Sequence, residues 1–130
     1  MSQVIPILRL GDTLAISLQG DLDDSTVTLI EEQLTREVAR TGATGTLIDV
    51  SGLTVVDSFA ALMLTRMVAM IGLLGADACV VGIQPGVAVS MVELHVPLGH
   101  LNTALTAEKG LALLHQLRPP ATLNHDRPTS

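Results

Sequence analysis

The sequence predicts a single α/β domain, because short apolar runs suited to covered strands alternate with stretches of helical length and helical periodicity. Three observations carry this expectation. Gly11-Asp12 separates two Ile/Leu/Val-bearing runs, and a Gly-first two-residue loop suits a tight hairpin. Thr46 to Val50 reads as a buried strand, followed after a short turn at Ser51, Gly52 and Leu53 by a helix that starts at Asp57 and runs to Leu74. Ala78 to Ile83 is another apolar run, and Gln84-Pro85-Gly86 after it opens a further helix, with Pro85 placed where a missing N–H costs nothing.

Taken in order, Val4 to Leu10 and Thr13 to Leu18 form the first two strands. The segment from Gly20 to Ser25 combines a turn with a helix start. Val27, Ile30, Leu34 and Val38 then recur at helical spacing, with Glu31, Glu32, Arg36, Glu37 and Arg40 facing elsewhere, until Gly42 ends the helix. After the central strand and helix, Val87, Met91 and Leu94 stripe the third helix and Pro97 closes it. Leu101 to Leu105 is a short last strand, and Thr106 caps a final helix through Leu117. The predicted order is β-β-α-β-α-β-α-β-α, a mixed sheet with parallel crossovers after the hairpin, over residues 1–117. Residues 118–130 carry three prolines and no periodicity and read as a disordered tail.

Composition narrows the function classes. The 130 residues are 48% hydrophobic with one Phe and no Trp or Tyr, so the core is aliphatic. Seven basic against thirteen acidic residues give a formal net charge of −6, which with the lack of stacking aromatics argues against nucleic acid. Cys79 stands alone in an apolar run and reads as a buried structural thiol. Asp21, Asp23 and Asp24 lie around a helix start, where acidic residues serve as caps and dipole complements more simply than as a metal site. No metal or cofactor is expected. The N-terminus lacks the layout of a secretory signal, and the stretch from Phe59 to Leu74 is short of the about 20 residues a span needs and contains Arg66. A soluble, cytoplasmic protein with no membrane association is therefore the expectation.

The helix from Asp57 to Leu74 carries the functional signal. Asp57 suits an N-cap, which places Ser58 at the first turn, near free N–H groups and the positive end of the helix dipole. By position alone Ser58 is simply part of that cap. Beyond the first turn only Thr65 and Arg66 are strongly polar, so the helix is apolar on nearly every side and exceeds what one small domain covers. Met63, Met67 and Met70 form a stripe of adaptable side chains, and with Asp57, Phe59 and Arg66 they are the expected partner-binding residues.

Ile48-Asp49-Val50-Ser51-Gly52-Leu53 followed by Val55-Val56-Asp57-Ser58 resembles the STAS domain, the fold of anti-anti-sigma factors and of a domain in sulfate transporters. Val81 to Ala88, with Glu93-Leu94, resembles the stressosome branch of that family, in particular short scaffold subunits of the RsbS type. Phe59-Ala60-Ala61-Leu62 stands where free anti-anti-sigma factors usually carry Ser-Gly-Leu-Gly, which favours the stressosome branch over that alternative. The resemblance implies that Ser58 is phosphorylated by a partner kinase and that Asp57 shapes the site. It also implies that Ser90 falls near a second phosphorylated position of a sensor-bearing paralogue, although a serine inside a helix is commonly only solvated. The implied partners are a switch serine/threonine kinase, a STAS paralogue with a sensor domain, and further copies in a homodimer and a large hetero-oligomer.

Two other classes compete with this reading. An enzyme is not expected, since His95, His100, His115 and His125 pair with no Ser or Cys and no glycine-rich phosphate loop appears. A phosphoaspartate receiver would use Asp57 with the Asp21/Asp23/Asp24 group, but it needs a strand lysine, and the only lysine, Lys109, reads as helical.

Overall fold

The computed structural model describes residues 5–20, 22–53, 57–97, 99 and 101–117. Expectations that fall on Val4, Asp21, Val55, Val56, His100 and the 118–130 tail lie outside them. The elements are β1 (Ile7–Leu10), β2 (Thr13–Gln19), α1 (Asp24–Thr41), β3 (Gly45–Gly52), α2 (Ser58–Leu73), β4 (Asp77–Val81), α3 (Pro85–Glu93), β5 (Asn102–Ala104) and α4 (Ala107–Leu117). This is the predicted order. The five strands form one sheet in sequential order, with β1 antiparallel to β2 and every later pair parallel.

The hairpin turns as its residues dictate. Leu10 pairs with Thr13, leaving Gly11-Asp12 as the loop, and Gly11 takes φ 64, which glycine adopts without steric cost. β1 starts later than its apolar run because Pro6 has no N–H for a ladder, while the Ile5 N–H donates to Gln33 Oε1 on α1 at 2.9 Å. β3 is longer than expected: Ser51 and Gly52 stay in the strand, because a register shift between Ser17 and Gln19 of β2 brings Gln19 opposite Gly52. β4 stops at Val81 rather than Ile83 because Gly82, at φ 77, turns the chain away.

Helices α1, α2 and α3 cover one face of the sheet. Leu14, Ile16, Leu18, Ile48, Val50 and Val80 from the strands meet Ile30, Leu34, Leu64, Met67, Ile71 and Val87 from the helices in one aliphatic core. On α1 and after α3, two residues depart from their expected places. Glu31 is buried on α1 because α2 packs beside it and brings Arg66 within 3.2 Å of its Oε2. Leu94 is exposed beyond the end of α3, which closes before Pro97 as His95 takes φ 57 and the Val96 N–H reaches back to the Met91 carbonyl at 3.2 Å.

Among the described residues α4 alone covers the opposite face, where Leu114 packs with Leu47, Cys79 and Val81. Burial pushes the Cys79 thiol above its usual range, consistent with a structural role. The helix lies so close to the sheet that a Cβ on Gly110 would sit 2.5 Å from Val81 Cγ1 and 2.6 Å from Leu47 Cδ1. Gly110→Ala should therefore lower stability by about 1–3 kcal/mol, read as a lower urea midpoint, and an unchanged midpoint would refute so tight a contact.

Thr46, at 0% exposure, points into the main core, and among the described residues its hydroxyl has no hydrogen-bond partner. An unmet buried hydroxyl costs about 1–3 kcal/mol. Thr46→Val should accordingly raise the urea midpoint with an unchanged slope, whereas a lower midpoint would mean that the hydroxyl is satisfied in solution.

Candidate functional site at the amino end of the second helix

The carboxyl ends of β2, β3 and β4 and the amino ends of α1, α2 and α3 share one edge of the domain. That is where an open parallel sheet exposes groups from successive connections. Each of these helices starts differently. At α1, Asp23 Oδ1 accepts the Thr26 N–H at 2.8 Å, and this bond holds the Asp23 carboxyl below its usual range. The stabilisation it gives is present above the ordinary carboxyl pKa and fades as pH falls through the depressed one. Asp23 is thus a cap, and Asp24 follows it in the first turn. Among the described residues no group of three His, Cys, Asp or Glu side chains is arranged to hold a metal ion.

At α2, Asp57 takes an extended backbone and its Oδ1 accepts the Ala60 N–H at 2.8 Å, while its carbonyl accepts the Ala61 N–H at 3.0 Å. Ser58 is the first helical residue, and both Asp57 and Ser58 are exposed. The site is therefore a hydroxyl at the solvent edge of the domain, on a helix terminus whose first amides have no acceptor within the helix. Phosphate suits that setting electrostatically, although the adjacent carboxylate opposes it.

The remaining candidates on α2 separate by helical phase. Ala60, Ala61, Leu64, Met67 and Ile71 face the sheet. Met67, at 2% exposure, is core, which corrects its expected place on a contact surface. Phe59, Met63 and Met70 are half-buried. The Arg66 side chain is 61% exposed but is held by the ion pair to Glu31. The outermost line of the helix consists of Leu62 (49% exposed), Arg66, Ala69 and Leu73 (87% exposed), spaced by four, three and four residues. Sequence reasoning missed Leu62 and Leu73, because on a helix apolar all round nothing but the phase of the small residues Ala60 and Ala61 marks the buried side. Ser90 is half-buried on α3, and its hydroxyl donates to the Gly86 carbonyl at 3.1 Å. Lys109 lies on α4 and not on a strand.

With this geometry in view, comparison with known proteins identifies the family. The STAS domain pattern matches residues 5–98. The chain belongs to the STAS domain family. It is 28% identical over 107 residues to the RsbT co-antagonist protein RsbRA of Bacillus subtilis, covering 82% of this chain and 39% of that protein. RsbRB of the same organism is 28% identical over 97 residues, covering 74% of this chain and 35% of its own length. The chain thus spans little more than a third of these curated relatives. The solved structure of Moorella thermoacetica RsbS S58E superposes with a TM-score of 0.78 at 33% identity, over 88% of this chain and 97% of that one. The unphosphorylated anti-sigma factor antagonist SpoIIAA shares the fold, with a TM-score of 0.67 at 15% identity over 90% of this chain and 98% of that one. The fold and branch expected from the sequence are therefore those found. Among the described residues of this STAS domain, no helix is long and apolar enough to cross a membrane.

The cap itself is open to test. Asp57→Ala should cost about 0.5–2 kcal/mol, with Asp57→Asn recovering most of that loss. Equal losses in the two variants, measured by chemical denaturation, would mean that the carboxylate acts otherwise than as a hydrogen-bond acceptor.

Proposed function

We propose that this STAS domain is a non-enzymatic regulatory scaffold of a cytoplasmic bacterial stressosome, which sequesters a serine/threonine switch kinase of the RsbT type and releases it when Ser58 is phosphorylated. The observation that carries this reading is the exposed Ser58 hydroxyl at the first residue of α2, capped by Asp57. The likeness to RsbS, and to relatives named as co-antagonists of RsbT, supports the choice of partner. The solved RsbS relative carries glutamate in place of a serine, a change that puts a negative charge where a hydroxyl stood.

The physical sequence is short. Phosphorylation adds a charge of about −1.5 to −2 and three acceptor oxygens. At the amino end of a helix that charge leaves the fold intact, since the dipole and free amides favour it. It accumulates instead at the surface, next to the Asp57 carboxylate, and any partner seated there must desolvate both groups or leave. Leu62 and Leu73 on the outer line of α2 give the domain an apolar face of the kind that assembly with paralogues or further copies covers. Ser90 is a secondary acceptor in this scheme, behind Ser58 because its hydroxyl is already bonded to the preceding turn.

The test is to incubate the chain with an RsbT-type kinase and ATP and to locate phosphate by mass spectrometry, with Ser58→Ala as control. Phosphate is expected on Ser58 and lost in the control. Ser58→Asp should weaken kinase binding roughly a hundredfold, equivalent to about 2.8 kcal/mol at tenfold per 1.4 kcal/mol. Undiminished binding would exclude release by charge.

A further inference from the structure

Gln84 holds the N-cap position of α3, yet its side chain makes no capping bond to that helix. Its Nε2 instead donates to the Ser51 carbonyl oxygen at 2.7 Å, across 33 residues of sequence. Pro85 follows at the first helical position, where its missing N–H needs no acceptor. The receiving carbonyl lies beyond the last paired residues of the two strands, Asp49 and Val81, because Gly82 turns β4 away.

Two more contacts converge on Ser51. Its N–H donates to Asp49 Oδ1 at 2.9 Å. Gly82 passes so close that a Cβ there would lie 2.9 Å from Ser51 Cβ and 3.1 Å from Asp49 Oδ1. The end of β3 is thereby fastened to β4 and α3 just before the chain sets out for α2. Leu53 then buries its side chain, with its N–H on the Val50 carbonyl at 3.0 Å, and Asp57 and Ser58 open the helix.

We propose that Gln84 is a positioning residue for Ser58: by tying the start of α3 to the end of β3, it sets the orientation in which the Ser58 hydroxyl is offered to a phosphate donor. The inference deepens the reading of Ser58 as the phosphorylated residue and rests on it. It also makes α3 a lever, since whatever shifts the first turn of α3 pulls on the Ser51 carbonyl. A bond at this solvent-facing edge contributes little to global stability, so its loss should show in presentation of the serine and not in melting.

The test uses Gln84→Met, close in shape but without a donor, and Gln84→Arg, which restores one. Two readouts are taken on the full chain: the backbone amide NMR shifts of Ser51, Leu53 and Ser58, and the steady-state transfer of phosphate to Ser58 by the RsbT-type kinase with ATP. Gln84→Met should move these amide shifts and lower kcat/KM roughly tenfold or more, the scale of a misplaced reacting group, with melting unchanged and Gln84→Arg returning both toward wild type. Wild-type shifts and wild-type transfer in Gln84→Met would overturn the proposal. If the wild-type chain accepts no phosphate while the Ser58 amide still follows Gln84, the positioning stands and the acceptor reading fails. Should Gln84→Met melt early, Gln84→Asn, polar but too short to span the contact, decides between the same outcomes.

Discussion

Parallel pairing of β3 with a neighbour on each side is the constraint on which the rest of this domain depends. Thr46, Leu47 and Ile48 are buried between β2 and β4, and parallel strands so placed need both faces of the sheet covered. The crossover helices α1, α2 and α3 cover one face and α4 covers the other. Because each crossover leaves the carboxyl end of a strand, three helix amino ends arrive at the same edge of the domain. The candidate site is thus a consequence of topology, with Ser58 placed there by the length of β3 and by the cap at Asp57.

The two faces are packed by different means. On the side of α1, α2 and α3, large aliphatic side chains interdigitate, and a hydroxyl at Thr46 is tolerated although it finds no partner among the described residues. On the α4 side, Gly110 lets the helix settle onto Val81, Leu47 and Cys79 with almost no intervening side chain. One short helix cannot shield the whole sheet, and Leu8 and Leu10 of β1 remain exposed. The aliphatic composition accounts for both solutions: without Tyr or Trp, thickness comes from Leu, Ile and Met, and close approach from glycine.

Much of this was legible in the sequence because the signals were local. Gly11-Asp12, Asp23, Gly42, Asp57 and Pro85 each punctuate the chain through their own backbone chemistry, and the structure places a turn or a helix end at every one. The motif around Asp57 and Ser58 led to the STAS family, in which the comparisons place the chain. What escaped was set by tertiary partners. Glu31 is buried only because Arg66 arrives from another helix. Met67 belongs to the core because of the phase of α2, which a helix apolar on all sides conceals. The extension of β3 depends on a shift in β2, and the bond from Gln84 to Ser51 joins residues that no periodicity relates.

These long-range ties bear on how a domain of this size could carry the proposed switch. A modification inside the core would have to be absorbed by close-packed aliphatic side chains and would unfold the domain before it signalled. At Ser58 an added phosphate would meet solvent and a helix terminus, so its free energy would fall on whatever binds the surface. Such a mechanism requires a stiff surrounding edge, since a loop that yields would absorb the new charge by moving away from the partner. The contacts of Asp49, Gly82 and Gln84 at the end of β3 supply such a tie without using the core, on the edge where the proposed partner would sit.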